Sequence, residues 1–172
     1  MKVGHVPAGA SPARNRGETQ MHTEVTRTYP VAVKIGFDYC DDFKTWPLWY
    51  SSMTGLIAPE KAKWLEPGDE VRFGYKLLGR RIEGVTILDE STDCVLVRFH
   101  TEIPGLPVVH FAYHYAGIEP ERFELRVEME TEEPTSFFGR TVDRMLMPRA
   151  LERDLRASLD NLADIFAARL FE

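Results

Sequence analysis

The stretch VVHFAYHYAGIEPERFELRVEMETE, Val108 to Glu132, decides the fold. In its second half Phe123, Leu125, Val127 and Met129 alternate with Glu124, Arg126, Glu128 and Glu130. Period two sends the apolar set to one face and the charged set to the other, which describes a half-buried strand. In its first half Val109, Phe111, Tyr113 and Tyr115 share one face, and His110, Ala112 and His114 share the other. The link IEPER between the halves is short. Short links join antiparallel neighbours, because a parallel pair needs a long crossover.

Working toward the N-terminus, the same grammar repeats. VRFGYKLL follows the turn EPGD, RIEGVTILD follows LGR, CVLVRFHTE follows ESTD, and IPGLP leads back into the opening stretch. Val71, Phe73, Tyr75 and Leu77 oppose Arg72 and Lys76, and Val95, Val97, Phe99 and Thr101 oppose Leu96, Arg98 and His100. Gly84 in RIEGVTILD marks an expected bulge that would change its register. TEVTRTYP, Thr23 to Pro30, is β-branched and alternating and predicts a first strand. VAVKIGFDY and FKTWPLWYSS predict two short helices, with Thr45 as a cap and Pro47 in the first turn, where a missing N–H costs little. A further short strand is expected near Gly55 to Leu65, and Ser51 to Pro67 is the expected mobile closure.

Beyond the opening stretch the period becomes helical. Leu151, Leu155, Leu159, Leu162, Phe166 and Leu170 form one stripe. Pro148 removes a helix hydrogen bond and restrains Met147, so a kink or break is expected there. The helix after it is roughly 35 Å long at ~1.5 Å per residue. A ten-residue strand is about 33 Å, so one helix matches the strands it must cover.

These elements predict an α+β fold. A strongly curved antiparallel sheet of about six to seven strands wraps a long C-terminal helix, with two short helices after the first strand. The inner face is aromatic, and its tyrosine hydroxyls need partners when buried. Polar handles in an apolar interior are the makeup of a small-molecule site. The alternative is that these hydroxyls reach the rim or the backbone. The expected ligand-binding set is Trp49, Phe73, Tyr75, Phe99, Phe111, Tyr113, Tyr115, Phe123, Leu155 and Leu159. Trp46 and Trp49 also suit core plugs.

The order of elements resembles the START/Bet v 1-like (SRPBCC) superfamily and its helix-grip fold. VTRTYPVAVKIGFDYCDDFKTWPLW resembles the family's opening strand and helix, including Trp46, Pro47 and Trp49, and LMPRALERDLRASLDNLADIF resembles the C-terminal helix of polyketide cyclase/dehydrase-like members. The resemblance runs over residues 23 to 170 and identifies fold better than function. It implies a cavity for lipids, polyketides, sterols or similar molecules.

Composition bounds the rest. The chain has 172 residues and a formal charge of -6, with 44% hydrophobic and 28% charged residues. This suits a single domain over residues 23–172, preceded by a Gly-, Pro- and Arg-rich leader over residues 1–22 read as disordered. Mean hydropathy is -0.27, and no apolar run approaches a membrane span. The first residues lack the apolar core of a secretory signal. A pI near 5.4 argues against a nucleic-acid partner. Cys40 and Cys94 stand alone, which fits a reducing, cytoplasmic setting and no metal site.

No nucleophile elbow, phosphate loop or zinc motif is present. His110 and His114 lie about 13 Å apart on one strand face, too far to share a metal. Asp38, Asp41 and Asp42 read as helix caps, Arg80 and Arg81 as solvated, and Phe137 and Phe138 as either a homodimer contact or packing under the sheet edge. No cofactor is implied and the catalytic residues are unassigned. Three functions remain in view. The favoured one is a carrier or sensor for a hydrophobic small molecule. The second is an aromatase/cyclase-type enzyme on a polyketide chain, using Tyr75, Tyr113 or Tyr115 beside an unassigned base. The third is an accessory module whose cavity is filled by side chains.

Overall fold

A computed structural model of the chain describes residues 21–77, 79–104, 106–131 and 141–169, with the side chains of 141–148 left aside. Residues 1–20 of the leader expected over 1–22, and the Phe137–Phe138 contact, lie outside the described residues, while Met21 and His22 belong to the first strand. The elements are β1 (Met21–Tyr29), α1 (Val33–Asp41), a 3-10 turn (Phe43–Thr45), α2 (Trp46–Trp49), β2 (Met53–Leu56), β3 (Glu70–Leu77), β4 (Arg80–Thr92), β5 (Leu96–Glu102), β6 (Val109–Glu119), β7 (Arg122–Thr131) and α3 (Thr141–Ala167). The strands form one sheet of seven in the order β1-β7-β6-β5-β4-β3-β2, and every pairing is antiparallel.

The faces follow the alternation. Phe123, Leu125, Val127 and Met129 are all buried, while Glu124, Arg126, Glu128 and Glu130 turn to the other side. On α1, Gly36, Phe37 and Cys40 make the buried face, one turn apart as helical spacing requires. Gly36 is where α1 lies against the sheet, since a Cβ there would fall 2.2 Å from the ring of Phe123.

Hydrogen bonds at the two sheet edges explain the grip. From β1, Arg27 Nε donates to Asp160 at 3.0 Å and the Tyr29 hydroxyl donates to the Leu159 carbonyl at 3.1 Å. Just before β2, at the opposite edge, Ser52 donates to Asp154 at 2.7 Å and the Ser51 amide donates to Ser158 Oγ at 3.0 Å. Seven strands laid flat would separate their edges by roughly 29 Å, at about 4.8 Å per step. A helix is only ~10–12 Å across. Both edges reach the same two turns of α3, so the sheet must curve around it.

Several local expectations change. Helix α3 runs on through Pro148 as one element, so there is no break. The proline forfeits one donor, and the hydrogen-bonded turns on either side carry the helix past it. Gly84 stays in register opposite Phe73, and the bulge in β4 falls between Leu88 and Glu90. Gly84 serves packing, because a Cβ there would meet Phe73 and Ile103 side-chain carbons at 2.9 Å. Thr45 caps nothing through its side chain. Its hydroxyl donates back to the carbonyls of Tyr39 and Asp42, and Asp42 caps the 3-10 turn by accepting from the Lys44 amide at 3.0 Å. Asp38 and Asp41 sit in the last turns of α1, not at its start. The short strand is β2, ending at Leu56; β1 begins at Met21, two residues earlier than Thr23; and Val95, expected on the buried face, is exposed in the turn before β5, its amide bonded to the Thr92 carbonyl.

No described helix is long and apolar enough to cross a membrane.

Candidate functional site

Curving the sheet around α3 leaves a cavity of about 80 Å³ between them. One water needs ~10–15 Å³ by this measure, so the space holds roughly five to eight waters; a cavity that takes up benzene is about 150 Å³, so a ring enters this one as its side-chain walls move apart. Its walls come from most of the fold. Strands β3, β5 and β6 supply Phe73, Tyr75, Phe99 and Phe111; α2 supplies Trp46; and α3 supplies Leu151, Asp154, Leu155 and Ser158. Tyr50, Met53, Thr86, Thr101, Ile103, Val109 and Met129 complete the lining.

Five of the ten residues expected at the site meet here: Phe73, Tyr75, Phe99, Phe111 and Leu155. The other five pack beyond the cavity. Trp49 is buried and stacks on Tyr50 with ring centroids 3.9 Å apart. Its indole Nε1–H is buried without an acceptor among the described residues. The Tyr113 hydroxyl pairs with that of Tyr50 at 2.8 Å. Tyr115 hydrogen-bonds the Cys40 thiol and packs on Phe37, 5.1 Å between centroids. Phe123 and Leu159 fill the far core with Tyr29 and Phe166. Tyr113, Tyr115 and Phe123 share the sheet's inner face with the cavity set, but they are taken up by Tyr50, Phe37 and Phe166. Burial holds the hydroxyls of Tyr113 and Tyr115 well above their ordinary pKa, and pushes the Cys40 thiol up to about 12.

The polar wall of the cavity centres on Asp154. Its Oδ2 accepts from the Tyr75 hydroxyl at 2.8 Å and the Ser52 hydroxyl at 2.7 Å. Ser158 Oγ donates to the Asp154 carbonyl at 2.7 Å, and Ser51 Oγ donates to the same oxygen at 3.2 Å. Burial raises the pKa of Tyr75, and the negative charge of Asp154 beside it raises it further. Tyr75 is therefore a firm hydrogen-bond donor. A second polar pair, Thr86 and Thr101, bonds across β4 and β5 at 3.0 Å.

Asp154 and Ser158 went unread in the sequence. Ser158 falls within about 20° of Leu151 on a helical wheel of 100° per residue, squarely on the leucine stripe. A hydroxyl there was the available signal. Asp154 lies about 60° off Leu151, at the stripe's flank, where it resembles a solvated acid.

The histidines stay on the outer face, as the alternation predicts. His100 meets Asp89 at 2.7 Å, His22 meets Glu130 at 3.2 Å, and the rings of His100 and His110 lie 5.8 Å apart. Among the described residues no group of three or more His, Cys, Asp or Glu could hold a metal ion. The segment expected as a closure carries β2 and then Trp64, which is buried against Phe43, Trp46 and Phe99. The Asp69 carboxylate fastens its end, taking the Lys61 ammonium and the amides of Leu65 and Glu66 at 2.8 and 3.1 Å.

No protein-family model matches the sequence, and no curated protein matches it. Solved structures do match the fold. The Zhui aromatase/cyclase from Streptomyces sp. R1128 superimposes with a TM-score of 0.72 at 14% identity, covering 88% of this chain and 96% of that one. A START superfamily protein from Mycobacterium smegmatis gives 0.69 at 10% identity, covering 86% and 97%. The di-domain ARO/CYC BexL, from the BE-7585A biosynthetic pathway, gives 0.66 at 15% identity, covering 88% of this chain and 51% of that one. The chain thus has the helix-grip fold of START-like and polyketide cyclase-like proteins. At these identities the likeness speaks to the fold.

Proposed function

We propose that the chain is a binding protein for a hydrophobic small molecule, a carrier or sensor, held between the sheet and α3. One observation carries the reading: an aromatic and aliphatic cavity of about 80 Å³ with its polar groups gathered on one wall. Apolar walls supply affinity, and few polar groups fix orientation. Cys40 and Cys94 are both free, which supports a cytoplasmic setting. The test is native mass spectrometry of freshly purified protein, followed by fluorescence titration with the neutral probe N-phenyl-1-naphthylamine. Probe binding that disappears in Leu155→Trp, which fills the cavity, is the expected result. No co-purifying molecule together with no probe binding would sink the reading and favour a filled accessory module.

The contact between Tyr75 and Asp154 favours one second reading, a polyketide aromatase/cyclase-type enzyme. As substrate enters, the Tyr75 hydroxyl would turn from Asp154 to a substrate carbonyl, and Asp154 would receive a proton from the adjacent carbon. Such chemistry predicts turnover of a poly-β-ketone mimic that falls at least about 100-fold in Asp154→Asn. Turnover unchanged in that variant would remove the assignment.

A further inference from the structure

We propose that Asp154 selects the ligand by charge, so that the cavity accepts an apolar ring whose polar end is an uncharged donor or an amine and rejects the matching carboxylate. This rests on the binding reading above and names its ligand class. Tyr50, Tyr75, Thr86, Thr101, Asp154 and Ser158 are the polar residues of the lining, and none is cationic. Most of their donors are engaged inside the protein. The Tyr75 and Ser158 hydroxyls are given to Asp154, Thr86 pairs with Thr101, and Tyr50 pairs with Tyr113. The Thr86–Thr101 pair, both of whose members line the cavity, keeps one proton for a ligand carbonyl or ether, so neutral acceptors are tolerated.

Asp154 is the exception. Its Oδ2 is occupied by Tyr75 and Ser52, while Oδ1 accepts no hydrogen bond among the described residues. The nearest cation is Arg153, whose guanidinium stands 3.8 Å from Oδ1. Asp154 is 14% exposed at its side chain and Arg153 is 75% exposed. The arginine's field is therefore screened by water, and that of the carboxylate is less so. A hydroxyl or ammonium entering the cavity can donate to the Asp154 carboxylate, which lines it. An entering carboxylate meets a like charge with no cation in the cavity lining to offset it. An anion could rest on Arg153 only from the solvent side, with its ring left outside the cavity.

The experiment compares three probes with one ring and three heads, 2-naphthylmethanol, 2-naphthylmethylamine and 2-naphthoate, by calorimetry near neutral pH. Wild-type protein is expected to bind the alcohol and the amine at least about tenfold more tightly than the carboxylate. Asp154→Asn is expected to tighten the carboxylate and weaken the amine by about tenfold each, and to move the alcohol less than about threefold. Arg153→Ala should leave the ranking unchanged. If Asp154→Asn fails to fold, the wild-type ranking and Arg153→Ala still decide. A carboxylate that binds wild type as well as the alcohol does overturns the inference, as does a ranking unaltered by a folded Asp154→Asn. Binding of N-phenyl-1-naphthylamine without any of the three overturns it alone. Failure of all four probes overturns the binding reading and this inference together.

Discussion

Replacing Gly36 with alanine sets two effects of opposite sign against each other. Gly36 is the fourth residue of the nine-residue helix α1. Intrinsic propensity favours alanine over glycine in a helix by about 0.8–1.0 kcal/mol. Packing opposes it. The new methyl would lie 2.2 Å from Cε1 and Cζ of Phe123 and 3.1 Å from Cδ1. Carbon atoms prefer about 3.5–4.0 Å, so two contacts fall short by more than an ångström. The ring has nowhere to go. Phe123 is 0% exposed, with the rings of Tyr29, Phe166 and Tyr115 at 5.2, 6.1 and 6.2 Å. Overpacking typically costs about 1–3 kcal/mol, and this confinement puts the cost at the upper end. The net expectation is a loss of about 2 kcal/mol after the propensity gain, seen as a fall in Tm of about 4–8 °C. Denaturant unfolding followed by circular dichroism reads it directly. The double variant with Phe123→Leu should lose at least about 1 kcal/mol less than the sum of the singles, because the smaller side chain makes room for the methyl. A Gly36→Ala protein as stable as wild type, or more stable, would refute the argument and show that α1 is free to lift from the sheet.

Other outcomes follow from the polar groups. Asp69→Asn should speed amide exchange at Leu65 and Glu66, whose N–H groups its carboxylate holds. The Lys61 ammonium holds the Asp69 carboxyl below its usual range, so this clamp is complete above about pH 4 and is lost as pH falls through the lowered value; wild-type exchange at the same amides should rise there. Asp41 has the opposite sign. Burial raises its carboxyl to about 6, and Oδ1 has no hydrogen-bond partner among the described residues. The folded state then holds the proton more tightly than the unfolded chain between about pH 4 and 6, so stability falls as pH rises through that window. Asp41→Asn should raise Tm at pH 7 and leave it unchanged near pH 4, by calorimetry. Tyr113→Phe strands the Tyr50 hydroxyl and should cost about 1–2 kcal/mol in urea unfolding, while the double Tyr50→Phe, Tyr113→Phe variant should recover much of it.

The architecture was legible wherever one face of an element is wet. Strand β7 alternates acids with buried apolar residues, so its register is fixed by burial, and β6 follows across the short turn. Legibility fails where local chemistry has two meanings. Gly84 suits a bulge or a close approach, and only its neighbours Phe73 and Ile103, distant in sequence, decide for the latter. Pro148 suits a helix end or a helix with one bond missing, and cooperative turns on both sides decide that. The cavity was half legible for a related reason. Period two places Phe73, Tyr75, Tyr113, Tyr115 and Phe123 on one inner face, but position along the sheet separates those that line the cavity from those packed elsewhere in the core. That coordinate depends on how α3 lies across the sheet, which no strand pattern encodes. Asp154 was missed because a carboxylate at the edge of a leucine stripe looks solvated until Tyr75 and Ser52 arrive from the sheet's far edge.

The pairing of β1 with β7 has a consequence for the order in which the chain folds. Met21 lies opposite Thr131, so the first described strand finds its partner only after every other strand has been made. Strands β2 to β7 are joined to their neighbours in sequence and can zip as successive hairpins during synthesis. The edge of β7 stays unpaired until the N-terminal segment swings back across a long loop, and such distant closures are slow. Until then Tyr29 is missing from the cluster around Phe123 and Phe166, and α3 lacks half of its anchorage. On a ribosome, the step that pairs β1 with β7, with α3 packed across the sheet's inner face, is the one that completes the grip.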